Sequence, residues 1–458
     1  MVPWLRRPVL RDPLERLIAQ SRPPYEKAVR EFGWRCWQMT LMSAAIWAIS
    51  APLVMARFHV AAPIALLLNV PLGLPVAVSL LSGFGVMLFG SWLSPVAHLC
   101  AIVCDASLAL LQTIVEKAQG ISWGHAWVTG PAEWWLAGFY LLILGFMLLG
   151  RWCPPRRWCV AWVALWIATG VGTRWIAPKD ETLCCTFVSV GHGLAVLIEL
   201  PDGRAMLYDA GQLASPRWSA RAISEVLWSR GITHLDAVVV SHADVDHYNG
   251  LPTLLDRFSV GAVYTSTVMF TEESGALIAL RDALAGQEIP IRELSASDRF
   301  ELSEGDIQVW HPPAQGLLAS DNANSIVLAI EYRGRRILLT GDLESPGLEM
   351  VMSEEPYDCD LVLAPHHGSR RSNSAELARW CTPEWVVVSG PEEENGTLLQ
   401  QAYQQAYQQP HQGAAGDAEP GQGESRARSV RVLYTTRHGA ITARIGPQGQ
   451  FDVDWFRR

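Results

Sequence analysis

The sequence predicts an α-helical polytopic membrane region followed by an α/β domain, and three observations predict it. Between Trp37 and Gly150 the only Asp, Glu, Lys or Arg residues are Arg57, Asp105, Glu116, Lys117 and Glu133. After Lys179 charges return at ordinary density, so the apolar excess is confined to one part of the chain. From Leu183 the apolar runs shorten into β-rich segments that alternate with helical ones, the pattern of an α/β or α/β/β/α sandwich.

The chain opens with a basic segment, residues 1–36, holding eight Arg or Lys and several prolines, and no cleavable signal peptide is evident. Five apolar segments follow within residues 37–175: Trp37–Met55, Ala62–Gly90, Pro95–Val115, Trp134–Gly150 and Trp158–Thr173. A span needs about 20 apolar residues, which suits the first, third and fourth and makes the fifth marginal. The second is interrupted by Pro71, Gly73, Pro75, Gly83 and Gly85 and is expected to be broken or kinked, in a plain bundle or along a translocation path. The Arg-rich start and the Arg151/Arg156/Arg157 loop belong on the cytosolic side, so five spans place the C-terminal domain outside the cell membrane. Asp105 falls within the third segment, where a carboxylate is either functional or, if that helix lies at the interface, solvated.

With 458 residues the length suggests about two to four domains. Hydrophobic residues make up 50% and mean hydropathy is +0.14, high for a soluble protein. A net charge of −9 excludes a protein coated in basic surface for duplex DNA, though not a local cationic groove. The nine cysteines include no CxxC pair, which excludes a zinc ribbon or a thioredoxin-type site. Cys100 and Cys104, one helical turn apart in an apolar segment, read as small membrane-helix residues. The 20 tryptophans gather in the membrane half and its exits, as interfacial anchors do.

In residues 181–458, strands are expected at Cys184–Val190, Ala195–Leu200, Ala205–Tyr208, Ala237–Val240, Ile326–Tyr332, Ile337–Thr340, Leu361–Ala364 and Trp385–Ser389. Helical spacing marks Ser219–Arg230, Leu251–Phe258 and Ser274–Leu284. Gly396–Ser429, with its QQAYQQAYQQ run, reads as a low-complexity, disordered insertion. Val430–Thr435 and Ala440–Ile445 are expected to close the domain as a hairpin.

The chemistry concentrates in Ser241-His242-Ala243-Asp244-Val245-Asp246-His247, directly after the strand AVVV. Four metal-competent side chains at a strand end can converge on a small volume. Two later groups have the same placement: Asp342 after the strand ILLT, and His366 and His367 after LVLA. Three donor groups at the C-terminal tips of different strands are how a sheet scaffold assembles a metal site. Taken singly, each also fits a capping Asp, a solvated His pair or a polar turn.

The order His242-x-Asp244-x-Asp246-His247, then Asp342, then His366/His367, with Asp209 upstream in MLYDAG, resembles the metallo-β-lactamase superfamily. More narrowly, TFVSVGHGLAVLIEL, SHADVDHYNGL, NANSIVLAIEY, LLTGDLE, APHHGSRRSNS and VLYTTRHGAI are similar to the ComEC family of DNA-uptake proteins, over Leu183 to about Ile445. The apolar half, with Asn69 and Pro71 in LLLNVPLGLP, looks like only the last part of that family's membrane region. The resemblance implies a metallo-β-lactamase-type αββα sandwich. It also implies one or two divalent ions (Mn²⁺, Zn²⁺ or Mg²⁺) acting on incoming, single-stranded DNA beside a membrane channel, alongside other uptake components. By position, His242, Asp244 and one of His366 or His367 would be ligands of one ion. Asp246 and His247 would serve a second, with Asp342 bridging and Asp246 and Asp342 the catalytic acids. Asp209 would orient the cluster from behind.

The chain also departs from the family pattern. The usual His-x-His start is His242-x-Asp244, and the Asn322/Asn324 segment stands where a further His is usual, with His311 too far upstream. This oxygen-richer set favours Mn²⁺ or Mg²⁺. The family's Asp-Val-Gly-Gln-Gly-Asp turn reads Ser189-Val190-Gly191-His192-Gly193-Leu194, so both acids are lost and His192 is a partial replacement. Arg370 and Arg371, after the HHGS turn, either meet phosphates or form a solvated loop pair. The functional expectation is a membrane DNA-uptake protein whose metal-dependent domain cleaves phosphodiesters. The alternatives are a membrane-tethered hydrolase of another ester and a non-enzymatic transport component with a degenerate site.

Overall fold

The structure is a computed structural model that describes residues 21–148, 155–176, 181–271, 274–391, 396–408 and 430–456. It divides into two compact units, Met1–Trp175 and Ile176–Arg458.

The first unit is helical. Among the described residues, three helices are long and apolar enough to cross a membrane: Pro24–Phe58, Ala65–Phe89 and Ser94–Gln119. Two shorter helices follow, Glu133–Leu148 and Arg156–Ile176. The first and third begin with proline in the opening turn, where the missing amide would have no partner anyway. The first ends at His59, whose left-handed backbone lets its amide reach Met55 O. The segment expected to be broken or kinked is one unbroken helix that runs through Pro71 and Pro75. Side chains of the neighbouring helix reach its carbonyls, Ser107 Oγ donating to Pro75 O (2.8 Å) and Cys104 Sγ to Ser79 O (3.5 Å). A Cβ on Gly85 would lie 2.7 Å from Cys100 Sγ, so this helix pair packs through small residues. Asp105 faces outward from it, exposed.

The second unit is a sandwich of two sheets. An eight-stranded sheet runs in the order Ile291–Leu294, Val263–Ser266, Ala237–Val240, Ala205–Tyr208, Val196–Glu199, Leu183–Phe187, Ile441–Ile445, Phe451–Trp455. A seven-stranded sheet runs Arg299–Leu302, Gly305–His311, Val327–Tyr332, Arg335–Leu339, Leu361–Leu363, Trp385–Val388, Arg431–Tyr434. Their inner faces meet in one apolar core, with Cys185, Phe187, Ile198 and Tyr208 from the first sheet against Ile307, Ile330, Leu339 and Leu363 from the second. Strands such as AVVV and LVL are buried on both faces because helices cover the outside, which explains their unbroken apolar runs. On the outer face of the seven-stranded sheet, helices Gly347–Met352, Ala375–Cys381 and Gly396–Gln408 contribute Leu348, Leu377, Leu399 and Tyr403 to a second core. The fold class is therefore as expected, a helical region with candidate spans followed by an αββα sandwich.

Two expectations are corrected. The segment read as disordered begins with a packed helix, Gly396–Gln408, because Leu399 and Tyr403 lie one turn apart and both are buried. Its remainder, 409–429, lies outside the described residues. The closing hairpin is also not one. Arg431–Tyr434 pairs in parallel with Trp385–Val388 in one sheet, while Ile441–Ile445 joins Leu183–Phe187 and Phe451–Trp455 in the other. The turn at Thr435–His438 carries the chain between sheets, so the two segments cannot pair with each other.

Candidate metal centre

The predicted residues meet at one end of the sandwich, where strands of both sheets deliver them. Asp209 follows Ala205–Tyr208, His242 to His247 follow Ala237–Val240, Asp342 follows Arg335–Leu339, and His366 and His367 follow Leu361–Leu363. The turn Gly191–Gly193 follows Leu183–Phe187 and is pressed against the backbone of Asp246. A Cβ on Gly193 (φ +147°) would lie 2.8 Å from Asp246 O and 2.5 Å from Gly211 O, so only glycine lets the turn in.

Six side chains fall into two groups whose ligand atoms lie within 4.8 Å of one another: His242, His247 and Asp342, and His192, Asp246 and His367. The first group is buried. Asp209, itself fully buried, accepts from Ser241 N (2.6 Å), Ser241 Oγ (2.7 Å) and His247 Nδ1 (2.8 Å). Ser241 spends its hydroxyl proton on Asp209 and therefore accepts from His242 Nδ1 at 2.9 Å. Both imidazoles thus have Nδ1 engaged and turn Nε2 into the cluster, an arrangement typical of metal-ligating histidines. Asp342 links the groups: Oδ1 lies 3.3 Å from His247 Nε2 and Oδ2 3.3 Å from His367 Nε2.

The second group is more open. His367 Nδ1 donates to Ser389 O (2.8 Å), which fixes its tautomer, and its Nε2 stands 3.4 Å from Asp246 Oδ2. His192, exposed at the mouth, has its ring centroid 4.7 Å from that of His367.

The electrostatics ask for positive charge. Burial resists protonation of His247, but Asp342 and Asp209 outweigh it and raise its pKa well above the usual histidine value. Burial likewise opposes ionisation of Asp342, yet His247, His367 and His242 hold it far below the usual carboxylate range. His367 is shifted up, against its burial, by Asp246 and Asp342. Asp246 is shifted down, also against its burial, by His367 and His247.

Other predicted residues fall outside the cluster. Asp244 lies 3.5 Å from His242 Nε2 with its side chain 52% exposed, and belongs to neither group. His366 faces Glu344 (3.6 Å) and stands 3.9 Å from Asp342 at the rim. Asn324 is spent on the chain before it, bonding Leu317 N and O and Ser320 O, and Asn322 shares its short 3₁₀ turn. His311 is buried against Ala323 O. Arg370 and Arg371 are exposed. At the two positions lacking the family acids, Ser189 Oγ donates to Thr435 O, and Leu194 packs in the sandwich core. Ser241, Ser389 and the pair Asn373–Tyr403 were not foreseen. Asn373 Nδ2 donates to Pro365 O and Ser369 O, bracketing the His366–His367 turn, while Asn373 Oδ1 accepts from Tyr403 OH (3.2 Å).

The residues fit divalent metal on their own chemistry. The Nε2 atoms of His242, His247 and His367 are buried without hydrogen-bond partners, although carboxylate oxygens lie 3.3–3.5 Å away. Buried polar atoms left unsatisfied around a shared gap call for a partner between them, and a divalent ion fits that place. The convergent set is four imidazoles and two carboxylates, since His192 turns in while Asp244 turns aside, and it is richer in nitrogen than the sequence suggested.

Comparison with known proteins agrees. Residues 16–153 match the Competence protein family model, and residues 188–379 match that of the metallo-beta-lactamase superfamily. "Competence protein ComA" of Neisseria gonorrhoeae is 27% identical over 306 residues, 66% of this chain and 38% of that protein. "ComE operon protein 3" of Bacillus subtilis (strain 168) is 26% identical over 281 residues, 58% of this chain and 34% of the relative. The chain thus spans little more than a third of the length of these relatives. Among solved structures, CmlA, a diiron beta-hydroxylase from Streptomyces venezuelae, aligns over 47% of this chain and 46% of its own, at 16% identity and a TM-score of 0.32. The chain thus carries a region that matches the Competence protein family, followed by a region that matches the metallo-beta-lactamase superfamily, and it is similar to these two relatives.

Proposed function

We propose that this chain takes part in DNA uptake across the cell membrane and that its sandwich domain, on the extracytoplasmic side, hydrolyses phosphodiester bonds of incoming DNA. The observation that carries the reading is the set of buried, unpartnered Nε2 atoms converging with Asp246 and Asp342. Divalent ions held there would supply a water of lowered pKa and a clamp on the attacking and leaving oxygens. The chain's own residues do the rest. His242, His247 and Asp342 hold one position, Asp246 and His367 line the other, and Asp342 spans both. Asp209 and Ser241 keep the imidazole nitrogens aimed inward. Arg370 and Arg371, exposed two and three residues beyond the Gly368 turn, are available to strand phosphates. His366, at the rim beside Glu344, faces arriving substrate rather than the ions.

The test is cleavage by the full chain in detergent, loaded with Mn²⁺, Zn²⁺ or Mg²⁺, on single-stranded DNA, duplex DNA and bis(p-nitrophenyl) phosphate. Cleavage of DNA, abolished in Asp342→Ala, is expected. Hydrolysis of the small diester without DNA would favour another ester substrate. A fully metallated chain that binds single-stranded DNA and cleaves nothing would leave a transport component without hydrolase activity. A reporter fused after Arg458 tests the orientation, and a cytosolic signal would overturn it.

A further inference from the structure

We infer that His192 is a metal ligand, completing the open subsite with Asp246 and His367 so that it selects a transition-metal ion over Mg²⁺. The inference rests on the reading that the cluster holds divalent ions, and it deepens that reading by naming the third donor and the metal class. His367, its side chain nine-tenths buried, offers an Nε2 that makes no hydrogen bond, while its Nδ1 is committed to Ser389 O. Asp246 brings Oδ2 to 3.4 Å from that nitrogen. What remains is the side open to solvent, and there His192 places a ring nitrogen within 4.8 Å of the other two donors.

The backbone behind His192 is built to hold it there. Its carbonyl accepts from Leu213 N at 2.7 Å. The next carbonyl, Gly193 O, accepts from Ser389 Oγ at 2.7 Å, so the residue that orients His367 also anchors the turn carrying His192. Gly193 permits the approach, since any Cβ would strike Gly211 O, Gln212 Cα or Asp246 O at 2.5–2.8 Å.

Two imidazoles and one carboxylate form a borderline donor set. Mg²⁺ prefers oxygen ligands and near-octahedral water-rich geometry, whereas Zn²⁺, Co²⁺ and Fe²⁺ accept imidazole readily. The position that lost its acids therefore regains a donor of a different kind.

The test is titration of the metal-stripped full chain in detergent with Co²⁺, read by d–d absorption and by elemental analysis after desalting. Wild type should bind two equivalents, and excess Mg²⁺ should displace neither. His192→Ala should keep the first equivalent and bind the second at least about tenfold more weakly, with a weaker d–d band. His192→Asp, which keeps a donor, should hold the second equivalent with an altered spectrum. Because His192 is exposed, neither variant removes core packing, and unchanged circular dichroism checks this. The inference is overturned if His192→Ala binds both equivalents with wild-type affinity and spectrum, or if wild type holds only one. In the latter case hydrolysis through the buried subsite stands. Wild type that holds two ions and cleaves no DNA rejects the hydrolase reading and leaves the His192 site intact.

Discussion

The two halves of the centre hold the same donors, two imidazoles and one carboxylate each, but are supported in opposite ways. The buried half is enclosed on every side: Ser241 precedes His242, Asp209 grips Ser241 and His247 together, and Asp342 reaches in from the other sheet, all of them buried. The open half is assembled from far apart, with His192, Asp246, His367 and Ser389 on four separate segments and the His367 turn braced through Asn373 by Tyr403. A buried site keeps its geometry as long as the two sheets stay packed together. One open to solvent is hostage to every segment that braces it. The buried half should therefore be the retentive one and the open half the exchangeable one.

The severest way to break this comparison is at Asp209. Asp209→Ala removes a fully buried carboxylate and strands two donors of Ser241 and the Nδ1 proton of His247. Breaking such a buried pair from one side costs about 3–5 kcal/mol. Thermal unfolding should drop accordingly, and elemental analysis should find the buried ion lost. A variant that melts with wild type and stays metallated would show that Asp209 is a bystander.

Tyr403 probes the other half. Tyr403→Ala should cost about 3–5 kcal/mol for a fully buried aromatic and should weaken the open ion before the buried one. Tyr403→Phe keeps the ring, removes the hydrogen bond to Asn373 Oδ1 and should cost about 1 kcal/mol. Equal loss of both ions, measured by elemental analysis after graded chelation, would erase the distinction between halves.

Legibility in the sequence follows the same division. SHADVDH could be read because its donors are consecutive and sit after an obvious buried strand, and Asp342 and the His pair because each also follows such a strand. The sandwich was readable for the same reason, since AVVV, ILLT and LVLA are apolar on both faces. What the sequence hid is what depends on three-dimensional return of the chain. Nothing local distinguishes His366 from His367; the choice is made by Ser389 O, 22 residues on. His192 looked like a partial replacement because its partners lie on other strands. The QQAY run looked disordered because glutamine dominates its composition, yet burial turns on Leu399 and Tyr403 alone. Arg431–Tyr434 looked like half of a hairpin because pairing across sheets leaves no local signature.

The adjacent histidines sharpen the comparison further. His367→Ala should lower affinity for the open ion by at least about tenfold. His366→Ala should leave metal content unchanged, since its Nδ1 faces Glu344 Oε2 at 3.6 Å and Ser320 Oγ holds that carboxylate at 2.6 Å. Loss of metal in His366→Ala would mean that the rim belongs to the centre and that the open half is larger than drawn.

The smallest expected effect lies outside both halves, on DNA binding. Arg370 and Arg371 are exposed and follow the turn that carries His367, so strand phosphates entering by the open side would pass them. Each phosphate they neutralise releases counterions and adds about 0.7 to the slope of log affinity against log salt for single-stranded DNA. Reversing both charges, Arg370→Glu with Arg371→Glu, should flatten that slope by roughly one to two and weaken binding most at low salt. Metal content and melting temperature should stay put, because neither residue is buried. Binding should be measured by anisotropy on a labelled single strand across a salt series, with the metal-loaded full chain. An unchanged slope would remove the arginines from the DNA path and place the cationic contact on another face, while both ion positions would keep the ligands argued for them.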